Sequence, residues 1–264
     1  MTAPVIATRG QALDAALAAA PADGQTAQDL LDLAQALAES PYLRRALTNP
    51  AAPAAARQRA AYSLLGSRVG PGALAVALAA VAQSWSDADG LRRALERQGI
   101  RACWLWADSE GRFTAAVDGL FAFGQLVAGD RGLRRALTDF TVSAERRRGL
   151  VRRLLEGRVQ PAAVTLAEQA ATASVPFEDA VARSLGLAGQ LKGQTVARAV
   201  VASPLGPGQR ARLTAALAER SGRPVVLEEI VDPTVLGGVR VEIGDDVIDG
   251  TVAARLETAR RHLT

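Results

Sequence analysis

Cysteine, histidine and lysine each occur once, as Cys103, His262 and Lys192, and aromatic residues make up only 4% of the chain. One cysteine excludes an internal disulfide and gives no sign of an oxidising compartment, and its expected place is a buried, inert one. One histidine, beside the C-terminus, offers no framework for a catalytic triad, a histidine general acid or a His-rich metal site. A solvent-facing helix end is its expected setting. The near absence of lysine explains a paradox of charge. The 31 basic and 27 acidic groups leave only +4, yet the pI is about 10.1, because arginine keeps its proton across the usable pH range. The high pI alone therefore implies no polyanionic partner. No apolar run approaches the roughly 18 uninterrupted residues needed to span a bilayer. Residues 1–10 carry one arginine and no signal-peptide core, so a soluble protein on the cytoplasmic side is expected. Lys192 is followed by Gly193 and no GxxxxGK[ST] pattern occurs, so neither a nucleotide cradle nor any other cofactor is expected.

What is present is a globular composition, 49% apolar and 22% charged over 264 residues, with room for two domains or a repeated one. A repeat is visible. Leu43-Arg44-Arg45-Ala46-Leu47-Thr48 returns ninety residues later as Leu133-Arg134-Arg135-Ala136-Leu137-Thr138. The same offset takes Leu64-Leu65 to Leu154-Leu155, Arg68-Val69 to Arg158-Val159 and Pro71 to Pro161. Residues 26–98 and 116–188 therefore read as two copies of one helical unit. Leu30, Leu33 and Leu37 fall on one helix face, and Leu120, Phe123 and Val127 hold those places in the second copy. Pro71 and Pro161 suit a first helical turn, where a missing N–H costs nothing. An Ala-rich helix with Leu13 and Leu17 precedes the first copy, and Trp104-Leu105-Trp106 stand in the equivalent place before the second.

After Gly193 the pattern changes. β-Branched residues cluster in Thr195–Val201, a helical run follows from Gln209 to Arg220, and Val225–Val231 reads as another strand. Asp232-Pro233 opens a turn. Val239, Val241 and Ile243 alternate with Arg240 and Glu242, and Gly244-Asp245-Asp246 turns the chain back into Val247-Ile248, which makes a hairpin. Asp249 or Thr251 can cap a last helix over 252–263. The expected architecture is α + α/β: an all-α bundle with an internal duplication, then a small α/β domain. The expected boundaries are 1–110, 111–192 and 193–264.

The text from Asp232-Pro233 through Leu236-Gly237-Gly238, then Gly244-Asp245, Val247-Ile248-Asp249-Gly250 and Arg255-Leu256, closely resembles the ATP synthase δ subunit family, whose mitochondrial relative is the oligomycin-sensitivity-conferring protein. Ser203-Pro204-Leu205, Gln209 and Leu213 fit the same resemblance. It implies a non-catalytic stator connector at the cytoplasmic face of the bacterial cell membrane. The helical domain would hold N-terminal helices of the α subunits, and the tail would bind the b subunit of the peripheral stalk. The extra helical copy resembles the long actinobacterial-type form, and it leaves open which copy meets the head. The resemblance and the small-residue faces point to Leu13, Leu17, Leu74, Leu78, Val164 and Ala167 as partner-facing.

The remaining chemistry-like features have plainer readings. Asp249-Gly250 reads as a cap and tight turn, and Gly237-Gly238 as a bulge or close approach at the start of a strand. Glu228-Glu229 and Asp245-Asp246 read as solvated carboxylates. Trp85, Trp104 and Trp106 read as core anchors. Arg146-Arg147-Arg148 with Arg152-Arg153 form the densest basic run; a solvated helix face is the first reading. An arginine-rich adaptor that binds nucleic acid or another acidic partner is the alternative it supports.

Overall fold

The computed structural model describes residues 5–85, 87, 89–139, 141–193, 195–221, 224–232, 235, 237–243 and 246–249. The chain divides into two compact units, Met1–Ser184 and Leu185–Thr264. Its helices are α1 (Val5–Ala18), α2 (Gly24–Glu39), α3 (Pro41–Thr48), α4 (Ala54–Leu65), α5 (Pro71–Ala82), α6 (Gly90–Ser109), α7 (Phe113–Gly129), α8 (Arg131–Thr138), α9 (Ala144–Leu155), α10 (Pro161–Thr172) and α11 (Phe177–Leu191). No strand is found among the described residues before Thr195.

The bounds of α3, α4 and α5 return, each ninety residues on, as those of α8, α9 and α10. Local chemistry repeats with them. Ser40 caps α3 by accepting from the Leu43 N–H at 3.2 Å, and Asp130 does the same for α8 from Leu133 at 2.9 Å. Pro71 and Pro161 are the first residues of α5 and α10. The burial pattern repeats too. Leu30 and Leu120, Leu47 and Leu137, Leu65 and Leu155, and Val76 and Leu166 are all core residues.

Helix α6 joins the copies. Its apolar side packs on α2, and it also meets α1, α5, α7 and α10. Close approach to α2 depends on Gly99, where a Cβ would lie 2.7 Å from Leu31 Cδ2 and 3.1 Å from the Leu31 backbone N. Trp104 is wholly buried, donates from Nε1 to the Ser184 carbonyl at 2.9 Å, and lies 5.6 Å from the Phe113 ring. Trp85 and Trp106 are only partly buried, so of the three tryptophans Trp104 alone is a full core anchor.

The second unit contains a four-stranded sheet in the order β2-β1-β3-β4, from β1 (Thr195–Val201), β2 (Val225–Val231), β3 (Val239–Ile243) and β4 (Asp246–Asp249). Strand β1 runs parallel to β2 through the crossover helix α12 (Pro207–Ser221), and the β3–β4 hairpin pairs antiparallel on its other side. Period-two alternation sends Ala197, Ala199, Leu227 and Val241 into one core with Leu217 of α12. Gly237 and Gly238 have φ of +89° and +84°, so the chain enters β3 through two left-handed residues that a side chain would strain.

Candidate interaction surfaces

The residues expected to face a partner divide by burial. Leu13, Leu17 and Ala167 are buried, so their side chains belong to the bundle's own core and are closed to an outside helix. Leu74, Leu78 and Val164 are half-buried. Helix α1 packs on α5, and small residues of that pair are exposed: Ala12, Ala15 and Ala18 on α1, and Ala75 between the half-buried Leu74 and Leu78 on α5. In the second copy α10 packs on α6, and Val164 and Thr165 of α10 and Leu105 and Trp106 of α6 are half-buried.

The basic run on α9 is not one solvated face. Arg147 is 7% exposed and donates to the carbonyls of Ala171, at 2.6 Å, and Leu137. Arg148 pairs with Asp32 of α2 at 3.0 Å. Arg152 grips Glu168 of α10 through Nε at 2.7 Å and Nη2 at 2.9 Å, and this raises the guanidinium's proton affinity. Arg146 and Arg153 remain exposed with no acidic partner among the described residues. Periodicity cannot reveal this, since an arginine opposite an apolar stripe reads as solvated.

Arg147 has a counterpart ninety residues earlier. Arg57 of α4 is 6% exposed, and its fork donates to the carbonyls of Val81 (3.0 Å), Ala82 (3.0 Å), Gln83 (3.1 Å) and Ala52 (2.6 Å). Each arginine thus ends a neighbouring helix, α5 or α10, by satisfying carbonyls that have no intrahelical donor. Sequence reasoning missed both; the signal that could have found them is that an arginine recurs at the repeat offset, in Ala-rich α4 and in Arg-rich α9.

At the seam of the two copies, Gln169 of α10 donates to Glu96 of α6 at 2.6 Å, and Glu96 in turn pairs with Arg92 at 2.8 Å. Arg92 also holds Asp89 at 2.7 Å, and this hydrogen bond keeps the Asp89 carboxyl below the usual range. A cavity of about 110 Å³ lies beside them, lined by residues of α2, α6, α9 and α10. Cys103 is buried as expected, and desolvation pushes its thiol up to about 12, so it is protonated and unreactive at neutral pH.

In the second unit Asp232 begins a turn, with the Val235 N–H donating to its carbonyl at 3.1 Å, and its own N–H donates to Val201 at 2.8 Å. Glu229 is not a free solvated carboxylate. It accepts from the Leu205 N–H at 2.7 Å and pairs with Arg210 of α12 at 3.2 Å, which ties the crossover helix to the sheet. Val247, Ile248 and Asp249 lie in β4, an edge strand. Pro233, Leu236, Gly244, Asp245, Gly250, Arg255, Leu256 and His262, with the expected last helix, lie outside the described residues. Among the described residues no group of three or more His, Cys, Asp or Glu could hold a metal, and no helix is long and apolar enough to cross a membrane.

A family model described as ATP synthase delta (OSCP) subunit matches residues 101–263. The match takes in the second helical copy and the α/β unit, and leaves the first copy outside. Whole-length relatives share that first copy. "ATP synthase subunit delta" of Kineococcus radiotolerans is 38% identical over 98% of this chain and 95% of its own length. The proteins of the same name from a Parafrankia species and a Nocardioides species are 40% and 42% identical over 93% and 90% of this chain, and 88% and 86% of their own. A chain in a structure of the Toxoplasma gondii mitochondrial ATP synthase hexamer aligns at 18% identity over 62% of this chain and 94% of its own, with a TM-score of 0.38, too low to carry an argument about fold. On the family match and on relatives that align along nearly the whole of both chains, this chain belongs to the ATP synthase delta (OSCP) subunit family.

Proposed function

We propose that the chain is a non-catalytic stator subunit of a rotary proton-translocating ATP synthase, which ties the α subunits of the catalytic head to the b subunit of the peripheral stalk and resists rotor torque. The observation that carries this reading is the near-full-length similarity to proteins named ATP synthase subunit delta. Side-chain caps on α2, α3, α8 and α9, and a seam joined by the Arg148–Asp32 ion pair and the Gln169–Glu96 hydrogen bond, suit a part that carries load and makes no bonds. The division into 1–110, 111–192 and 193–264 and the origin of the first two by duplication are part of the proposal. They are supported by helix bounds, caps and buried positions that recur at one offset. The chain would reach the cytoplasmic side of the cell membrane through its partners.

The head contact is assigned to the second copy, because that is the copy the family model matches. An amphipathic helix from an α subunit would lay its apolar face over the α6–α10 surface around Val164. The tail, with the Asp232–Leu256 motif, is assigned to the b subunit. Capture of the full chain on immobilised α N-terminal and b peptides tests this. Val164→Asp should weaken capture by the α peptide at least about ten-fold, since burying a charge costs more than 1.4 kcal/mol, and leave the b peptide unaffected. Leu74→Asp with Leu78→Asp should change neither. The reverse pattern would move the head contact to the first copy. Loss of both captures in the parent chain, with steeply salt-dependent binding to duplex DNA, would replace the stator reading by the nucleic-acid one.

A further inference from the structure

Helices α8 and α9 and the residues between them line an open recess of about 430 Å³, within the range of about 300–1,000 Å³ usual for sites that hold a ligand group. Its apolar lining is Ala136, Val142 and Leu150, its rim carries Arg135, Arg146 and Arg153, and Arg147 stands behind. One carboxylate, Asp139, is present, and it already accepts from the Thr141 hydroxyl and N–H. The recess is therefore strongly positive and also apolar.

The first copy supplies an internal control. Ninety residues earlier, Arg146 and Arg153 correspond to Ala56 and Ser63, Val142 and Leu150 to Ala52 and Ala60, and Gly132 to Tyr42. The second copy thus has added rim charge and apolar bulk on this face, and has glycine at the lip where the first has a tyrosine 80% exposed. The internal use of arginines separates two groups on one helix. Arg148 and Arg152 are spent on Asp32 and Glu168, whereas Arg146 and Arg153 point to no acid among the described residues.

We infer that the α8–α9 recess of the second copy is a docking site for an acidic amphipathic polypeptide helix, a contact separate from the α6–α10 surface and from the tail. Glutamate or aspartate side chains of that helix pair with Arg135, Arg146 and Arg153, whose planar forks suit carboxylates, and an apolar side chain between them enters against Val142 and Leu150. Charge complementarity selects the occupant. Nucleic acid is the poorer fit, because the charges ring one apolar hollow instead of tracking a backbone, and among the described residues no aromatic ring lines it for a base to stack on.

The test uses the full chain and a labelled amphipathic peptide of about 18 residues, with a leucine face flanked by glutamates, and its glutamine counterpart, followed by fluorescence anisotropy. The parent should bind the glutamate peptide at least about ten-fold more tightly than the glutamine one, and Arg146→Glu with Arg153→Glu should remove that preference. Ala56→Glu with Ser63→Glu should leave it intact. Both arginines are exposed, so the fold should survive; if the double reversal does not fold, Arg146→Gln with Arg153→Gln carries the same test. No binding, binding indifferent to these arginines, equal loss in the first-copy variant, or preferential binding of duplex oligonucleotide or anionic vesicles through the same arginines overturns the inference.

Discussion

Removing one guanidinium should loosen the whole first copy. Arg57 is 6% exposed and donates to four carbonyls at 2.6–3.1 Å, three of them at the end of α5 and one at Ala52 before α4. No carboxylate is among these acceptors, so the buried charge is held by the peptide dipoles at a helix C-terminus. In Arg57→Ala four charge-assisted hydrogen bonds are lost. At about 1 kcal/mol net for each, with some recovery as water enters the vacated space, the cost is about 3–4 kcal/mol. That is a large part of a stability of about 5–15 kcal/mol. At about 2–4 °C per kcal/mol, melting should fall by about 10 °C. Urea and thermal unfolding followed by far-UV circular dichroism read the effect directly. Arg57→Lys keeps the charge without the planar fork and should recover only about half. The same alanine substitution at Arg147 should act in the same direction. A midpoint in Arg57→Ala within about 1 kcal/mol of the parent, or full rescue by lysine, would refute the idea that the fork is what ends α5.

Alkaline conditions probe Cys103. Its folded thiol is raised from 9.0 to about 12, so above pH 9 the unfolded chain releases a proton that the folded chain keeps. Stability from this group is complete below pH 9 and falls by about 1.4 kcal/mol per pH unit as pH rises toward 12. Comparing urea midpoints of the parent and Cys103→Ala across pH 8–10.5 should show a shallower slope in the variant, and equal slopes would contradict the burial argument. Gly99→Ala places a methyl carbon 2.7 Å from Leu31 and should destabilise by about 1–3 kcal/mol in the same assay, whereas an unchanged midpoint would mean that α2 and α6 have slack.

Strands Thr195–Val201 and Val225–Val231 and the hairpin strand Val239–Ile243 were legible residue for residue, because β-branched runs bounded by turn residues leave few alternatives. The helix expected over Gln209–Arg220 is observed as Pro207–Ser221, two residues earlier at its start, where proline is tolerated. What the sequence hid was polar chemistry inside the bundle. An arginine opposite an apolar helix stripe looks solvated whether it faces water, as Arg153 does, or buries its fork, as Arg57 does. Glu229 looked solvated for the same reason, since its partners Leu205 and Arg210 lie two turns of topology away. Among the proposed contact residues, spacing could place Leu13, Leu17 and Ala167 on an apolar stripe but could not say which side of it another helix of the bundle already covers. Gly99 stands inside one continuous helix, Gly90–Ser109, where it serves close contact with Leu31.

That joined helix, Gly90–Ser109, has a mechanical consequence. Twenty residues of continuous α-helix make a rod about 30 Å long that both copies clasp, with no spacer between them. A push on one copy reaches the other through covalent backbone and its hydrogen bonds, which stretch little, so the pair behaves as a single girder and not as beads on a string.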